Sequence, residues 1–327
     1  MRTLAAGLLA AAFAGAAAAQ PAPSQPPGAP KMPPIVVADP GLTGIRIDRD
    51  GVFANFYPIN DHGPTVMLLG GSEGGLQGGG GMVKALTEAG FNVLNVCYFG
   101  CPGTPPQLAN VPLETFDRAL AFLKTQPSVD PGRIVLLGGS KGAEAGLLVA
   151  ARHPELKAVA VGMPSSVAWP GITFTPTAQP GWTDGGKPLP FLPYAPFSAM
   201  AKGGVFYLYA DGLPAVPQHP DAVIPVERVR APLMLVCGEA DTLWPSCPMA
   251  DQIQERLKAN GRPLAVLLRY KDAGHAVLGI PVDRANPNYT RMAEMISRSV
   301  GGTPDGNAAA RADAWPKVVA FLKAAVR

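Results

Sequence analysis

Residues 138–142 read Gly-Gly-Ser-Lys-Gly and lie between an apolar run at 134–137 and a helical stretch at 142–152. In the pattern G-x-S-x-G, the serine stands on a sharp strand-to-helix turn, and the helix N-terminus points at the oxygen that gains charge. Such a serine attacks a carbonyl carbon when a neighbouring base takes its proton. The pattern therefore predicts Ser140 as a nucleophile.

A carboxylate and a histidine follow Ser140 in the chain order that this chemistry uses. Of the four histidines, only His275 comes directly after a predicted core strand. Asp241 follows the preceding strand and is the preferred acid, with Glu239 as the alternative. Asp272 is too close to His275 along the chain to reach behind its ring. We expect Asp241 and His275 to complete the site.

Two backbone N–H groups are expected to stabilise the oxyanion. One belongs to Lys141, the residue after the nucleophile. The second is expected from the glycine-rich loop after the first core strand, where Ser72 is preferred and Gly71 is the alternative. A turn without any catalytic role is the competing interpretation of this loop.

Several neighbouring side chains have weaker assignments. Glu144 is interpreted as a buried polar group below the nucleophile, and the Lys141 side chain as a surface charge, since only its backbone is needed. Glu73, Ser165 and Trp244 are candidate pocket residues that would equally suit packing.

The elements that must position these residues alternate between strand and helix. Short apolar strands separated by helices are typical of an α/β fold, with a mostly parallel sheet and helices on both faces. Sites in such sheets form beyond the carboxyl ends of the strands. A hairpin is predicted at 45–57, strands at 65–69, 92–98, 133–137, 158–162, 232–237 and 264–270, and helices at 82–88, 113–125, 142–152, 248–260 and 307–325.

Residues 164–220 interrupt this alternation with prolines and aromatic residues and show no steady period. A long irregular segment inside a compact domain is commonly a lid or a substrate-binding insertion. We therefore predict one α/β domain at 44–327 that carries a Pro-rich, lid-like insertion at about 164–220.

The first residues are predicted to be a signal peptide at 1–19, because Arg2 precedes an apolar run that ends in small residues before Gln20. This run is shorter than the roughly 20 apolar residues that span a bilayer. Residues 20–43 are interpreted as a Pro/Ala-rich tether. The prediction is a secreted or periplasmic protein without a membrane span.

Export would allow the cysteines to form disulfides. Local pairing is favoured, Cys97 with Cys101 and Cys237 with Cys247, because each pair lies in one loop region. Four unlinked thiols are the alternative. The spacing of these cysteines matches no standard zinc site.

Composition and charge exclude some classes of protein. A chain that is 47% hydrophobic is not disordered, and a net charge of +3 gives no basic block for binding nucleic acid. The glycine run at 78–81 is predicted to be a flexible loop, because no G-K-[ST] follows it as in a phosphate-binding loop. We predict no metal and no organic cofactor, and the sequence does not determine the oligomeric state.

Six segments follow one another along the chain, namely LGGSEGG (69–75), GGSKGAE (138–144), PSSVAW (164–169), GEADTLWPS (238–246), AGH (273–275) and GGTP (301–304). Together they resemble the catalytic domain of the acyl-CoA thioester hydrolase / bile acid-CoA:amino acid N-acyltransferase family. The resemblance covers roughly residue 58 to the C-terminus. It implies the α/β-hydrolase fold and places the family's triad on Ser140, Asp241 and His275.

The resemblance and the spacing together imply a serine hydrolase that cleaves a small-molecule ester or thioester through an acyl-enzyme. The predicted export places the protein where coenzyme A thioesters are not expected, so the resemblance bears on the mechanism more than on the substrate. Three other functions stay open, namely an acyltransferase, a peptidase and a non-catalytic binding protein with the same fold.

Overall fold

The computed structural model describes residues 35–41, 43–76, 79–173 and 177–327. The predicted signal peptide and the predicted tether up to residue 34 lie outside the described residues. Within residues 35–41, the carbonyl of Val36 accepts the N–H of Leu76 at 2.9 Å, and the carbonyl of Ala38 accepts a guanidinium N–H of Arg46 at 2.6 Å. This part of the predicted tether is therefore bound to the domain.

One large sheet organises the described residues, and a three-stranded sheet joins β5, β8 and β9. The strands are β1 (Ile45–Arg49), β2 (Val52–Tyr57), β3 (Gly63–Leu69), β4 (Asn92–Cys97), β5 (Val111–Pro112), β6 (Val129–Gly139), β7 (Val159–Gly162), β8 (Trp182–Asp184), β9 (Lys187–Pro188), β10 (Leu233–Gly238) and β11 (Val266–Tyr270).

The large sheet has eight strands in the order β1-β2-β4-β3-β6-β7-β10-β11. The β1–β2 hairpin pairs Ile45 with Phe56 and adds to β4 in antiparallel orientation, whereas all later neighbours are parallel. The predicted mostly parallel sheet is confirmed. Its parallel strands bring their carboxyl ends, and the loops that follow them, to one edge.

Helices cover both faces of this sheet, as β6 illustrates. Successive side chains of a strand point to opposite faces. Ile134 and Leu136 accordingly lie in a core with α2, α3 and α5, and Val135 and Leu137 lie in a second core with α1 and α7. The helices are α1 (Gly79–Glu88), α2 (Glu114–Lys124), α3 (Lys141–Arg152), α4 (Phe206–Ala210), α5 (Ser246–Ala259), α6 (Tyr289–Val300) and α7 (Pro304–Ala324).

The predicted insertion is built from short elements, namely β8, β9, α4 and several 3-10 turns, each two to six residues long. Elements of this length leave no helical or strand period in the sequence. Packing stabilises them, because Trp169, Leu192 and Leu208 of the insertion form a buried cluster with Trp244 and Met249.

Two features depart from the sequence expectations. Helix α6 was not predicted, and none of its residues is fully buried, so it lacks the packed apolar face that marks the other helices. The glycine run at 78–81 was expected to be a loop, which is wrong for its described residues Gly79–Gly81, since they begin α1. Burial of Val83 and Leu86 outweighs the poor helix propensity of glycine there.

None of the helices in the described part of the chain is long and apolar enough to cross a lipid bilayer.

Candidate active site

Ser140 stands on the turn between β6 and α3 with φ +56° and ψ −123°, a conformation that non-glycine residues rarely adopt. Its N–H donates to the carbonyl of Gly162 on β7 at 3.0 Å. The turn also lies against the end of β3, because a Cβ at Gly142 would stand 2.5 Å from the carbonyl oxygen of Leu69. The Ser140 Oγ lies 2.8 Å from Nε2 of His275. The turn therefore presents the hydroxyl to an imidazole.

His275 and Asp241 lie in the loops that follow β11 and β10. Nδ1 of His275 is 2.8 Å from Oδ2 of Asp241, and the side chains are 9% and 1% exposed. The same carboxylate oxygen accepts the Ser246 hydroxyl at 2.8 Å, and Oδ1 accepts the N–H of Leu243 at 2.9 Å. Four hydrogen-bonding groups, counting the N–H of Trp244, thus hold the carboxylate in place.

The other two carboxylates considered for this site lie elsewhere. Glu239 is 40% exposed, and its Oε1 lies 3.4 Å from the guanidinium of Arg269. Asp272 is exposed, and its backbone carbonyl accepts the N–H of Thr303 at 2.9 Å. Asp241 is therefore the carboxylate that contacts the His275 ring.

The loop after β3 lies beside the serine, since a Cβ at Gly71 would stand 3.3 Å from Cβ of Ser140. The N–H of Gly71 donates to Oε1 of Glu73 at 2.9 Å, so this N–H is already used. The N–H groups of Ser72 and Lys141 have no acceptor among the described residues. These two groups, rather than that of Gly71, suit the stabilisation of an oxyanion.

The Tyr98 side chain supports this loop by hydrogen bonding, a role that the sequence did not indicate. Its hydroxyl lies 2.7 Å from the carbonyl oxygen of Gly70 and 3.0 Å from that of Gly71. Burial raises the pKa of Tyr98 well above its ordinary value, and the nearby charges of Glu73 and Glu144 add to this effect. The hydroxyl therefore stays protonated and donates to the loop.

The Lys141 side chain points into the protein, so its expected role as a surface charge is wrong. Its Nζ lies 2.7 Å from Oε2 of Glu144, and the two side chains are 2% and 0% exposed. The other carboxylate oxygen accepts the indole N–H of Trp182 at 2.6 Å and the backbone N–H of Trp169 at 3.0 Å. Burial lowers the pKa of Lys141, and the charge of Glu144 opposes this shift.

Glu144 thus matches the expected buried polar group and also joins α3 to the insertion, because both of its tryptophan partners belong to residues 164–220. The sequence does not mark this connection, since Trp182 lies 38 positions after Glu144.

Aromatic rings connect the insertion to the imidazole. Trp169 lies at 4.9 Å, centroid to centroid, from Tyr209, which lies 5.6 Å from Trp244, and Trp244 meets the His275 ring edge-on at 5.7 Å. Trp244 is buried, so in this arrangement it packs against the His275 ring.

The other two candidate pocket residues lie in different surroundings. Ser165 is fully buried and donates its hydroxyl to the carbonyl of Val167 at 2.7 Å, which is a packing arrangement. Glu73 is exposed and its carboxylate is bound to the Gly71 N–H.

Two disulfides lie at the edge of the sheet that carries the site. Cys97, the last residue of β4, is joined to Cys101, and Cys237 and Cys247 join the end of β10 to the start of α5. The second bond spans the loop that contains Asp241. The described residues contain no group of three or more His, Cys, Asp or Glu side chains placed to hold a metal ion.

Residues 111–327 match the family model described as BAAT / Acyl-CoA thioester hydrolase C terminal. The chain is 30% identical over 290 residues to acyl-coenzyme A thioesterase 1 of Mus musculus, covering 86% of this chain and 65% of the relative. It is 29% identical to the mitochondrial acyl-coenzyme A thioesterase 2 of the same organism, of which it spans 60%. It is 25% identical to acyl-coenzyme A amino acid N-acyltransferase 2 of Rattus norvegicus, covering 91% of this chain and 69% of the relative.

Solved structures of similar shape include an esterase of Pyrobaculum calidifontis, with a TM-score of 0.53 at 15% identity, covering 87% of this chain and 86% of that one. A carboxyl esterase from Tuber melanosporum gives a TM-score of 0.51 at 16% identity and covers 84% of this chain and 82% of that one. These likenesses confirm the α/β-hydrolase fold.

Proposed function

Since this chain belongs to the BAAT / acyl-CoA thioester hydrolase C-terminal family, we propose that it is a serine hydrolase that cleaves carboxylic esters or thioesters. One observation carries the proposal, namely a single imidazole that lies 2.8 Å from both the Ser140 hydroxyl and the Asp241 carboxylate. A serine beside a base that is itself oriented by a carboxylate is the arrangement that activates a hydroxyl near neutral pH.

In the proposed first half-reaction, Nε2 of His275 takes the proton from Ser140 as Oγ bonds to the substrate carbonyl carbon. The carbonyl π electrons move to oxygen, and the N–H groups of Lys141 and Ser72 stabilise the resulting charge. One such donor is typically worth about 10²–10³-fold in kcat. Asp241 holds the proton on Nδ1, so that Nε2 is free to act as the base.

The tetrahedral intermediate then expels the alcohol or thiol, which takes its proton from the imidazolium, and an acyl-Ser140 ester remains. Water then attacks this ester as Nε2 of His275 takes its proton, and the imidazolium returns that proton to Oγ as the acyl–Oγ bond breaks and the acid is released. The buried Lys141–Glu144 pair supports this site by fixing the first turn of α3 against the insertion.

We also propose that the protein is exported. The predicted signal peptide and the two disulfides support this location, because disulfides persist in oxidising compartments. Relatives whose names specify acyl-coenzyme A substrates support a thioester or ester carbonyl, and export favours substrates other than coenzyme A thioesters.

An acyltransferase is the second candidate, because one relative is by name an amino acid N-acyltransferase. In this case an amine would take the place of water in the second half-reaction. The two candidates share the acyl-Ser140 intermediate and differ in the acceptor that reaches it.

Product analysis tests the proposal. Protein recovered from the periplasm or the medium, whose amino terminus should be Gln20, is given p-nitrophenyl esters and S-acyl thioesters with and without millimolar glycine. We expect free acid as the product in both cases, and none beyond the uncatalysed rate with Ser140→Ala. Amide formation that grows with glycine would favour the transferase, and no turnover of any substrate would contradict both candidates.

A further inference from the structure

Three loops meet behind the imidazole of His275. They are the acid loop (residues 238–241), the base loop (residues 272–275) and the turn that joins α6 to α7 (residues 300–302), which we call the α6–α7 turn. The N–H of Ala240 donates to the carbonyl of Ala273 at 3.0 Å, and the N–H of Gly302 donates to the carbonyl of Ala240 at 3.0 Å. The three backbones are therefore directly bonded to one another.

These contacts leave no room for a side chain at Gly301. Gly301 has φ +83°, and a Cβ there would stand 2.0 Å from the carbonyl oxygen of Ala240. Asp241 and Gly301 also form an antiparallel β-bridge. The position of the acid loop is thus fixed against the α6–α7 turn by backbone alone.

Asn307, in the first turns of α7, joins this turn to the base loop. Its side-chain oxygen accepts the N–H of Gly274 at 2.8 Å. Its Nδ2 donates to the carbonyl of Gly301 at 3.0 Å and lies 3.2 Å from the hydroxyl of Ser297. The residue is only 6% exposed, so these bonds form away from competing water.

The backbone of His275 is held by the same turn, because its N–H donates to the carbonyl of Val300 at 2.8 Å. Two successive N–H groups, those of Gly274 and His275, are therefore fixed by the α6–α7 turn and Asn307. The ring itself depends on two contacts of 2.8 Å, which a small displacement of the backbone would lengthen together.

We infer that Asn307 is a positioning residue for His275. It acts through two hydrogen bonds, one accepted from the N–H of Gly274 and one donated to the carbonyl of Gly301. The inference rests on the proposed hydrolase function. Asn307 does not touch the reacting atoms. It fixes where the base loop places the imidazole between Ser140 and Asp241.

A purely structural role for Asn307 would be to stabilise the start of α7, and Thr303 provides a control for that role. The Thr303 hydroxyl oxygen caps α7 by accepting the N–H of Gly306 at 2.9 Å. Thr303→Ala removes this cap, which lowers the stability of α7, and leaves the Asn307–Gly274 bond in place.

The test compares steady-state kinetics of the full chain and its variants on a p-nitrophenyl ester that the wild type turns over. For Asn307→Ala we expect kcat to fall by roughly 10- to 100-fold with KM within about twofold, since displacing a catalytic group by about 1 Å has effects of this size. For Thr303→Ala we expect a lower melting temperature and a wild-type kcat.

Asn307→Asp keeps an oxygen that can accept the N–H of Gly274 and loses the N–H groups of the amide. It should therefore retain more activity than Asn307→Ala. It also serves as the test variant if Asn307→Ala does not fold. An unchanged kcat for Asn307→Ala, an equal loss for Thr303→Ala, or a loss for the aspartate variant beyond 100-fold would overturn the inference. A wild type that is inactive on every ester and thioester would instead remove the proposed function.

Discussion

Asp241→Asn is expected to lower kcat by about 10⁴-fold with little change in stability or KM. The asparagine amide would offer an N–H to the imidazole where the carboxylate offers a negative oxygen. The ring would then carry its proton on Nε2, facing Ser140, and could not act as the base. The measurement is kcat on a short p-nitrophenyl ester, with circular dichroism to confirm the fold.

Glu239→Gln is the matched control, because Glu239 lies two residues before Asp241 in the same loop and is bound to Arg269 at the surface. We expect this variant to keep kcat within about twofold, as surface ion pairs contribute little. If Glu239→Gln were the more damaging substitution, the assignment of the acid would be wrong.

Glu144→Ala is expected to reduce the free energy of unfolding by about 3–5 kcal/mol, the usual cost of removing one member of a buried ion pair. The ammonium of Lys141 would be left buried without its partner, and the Trp182 indole would lose its acceptor. Urea unfolding followed by tryptophan fluorescence, with the disulfides intact, measures this loss.

Glu88→Ala serves as the control, since Glu88 pairs with Lys84 at 3.7 Å on the surface of α1, with both side chains more than half exposed. A change of at most about 0.5 kcal/mol is expected for it. A loss below about 1 kcal/mol for Glu144→Ala would show that the buried pair does not hold the insertion to α3.

Local patterns made much of the fold predictable. The hairpin followed from Asp50-Gly51 between two strand segments, and the α/β class followed from the regular alternation of apolar strands and helices. The family resemblance is also confirmed. The places of Ser140 and His275 at strand ends followed from the same alternation, while their catalytic roles stay predictions.

Contacts between distant segments were not predictable. The buried Lys141 side chain contacts Glu144 and the ring of Trp182. Trp182 belongs to the insertion, and the sequence around residue 141 does not indicate it as a partner. The support of the base loop by Asn307 depends on a side chain 33 positions after Gly274. Helix α6 was not predicted although Tyr289, Met292, Ile296 and Val300 recur at helical spacing, and none of its residues is fully buried.

Covalent labelling of Ser140 tests the central claim most directly. A fluorophosphonate reacts when an activated serine oxygen displaces its fluoride, so it reports the nucleophile without any assumption about the natural substrate. We expect one adduct per chain, mapped by peptide mass spectrometry to the peptide that contains Ser140, and none with Ser140→Ala. Folded wild-type protein that stays unlabelled, or that carries the adduct on another serine, would contradict the account.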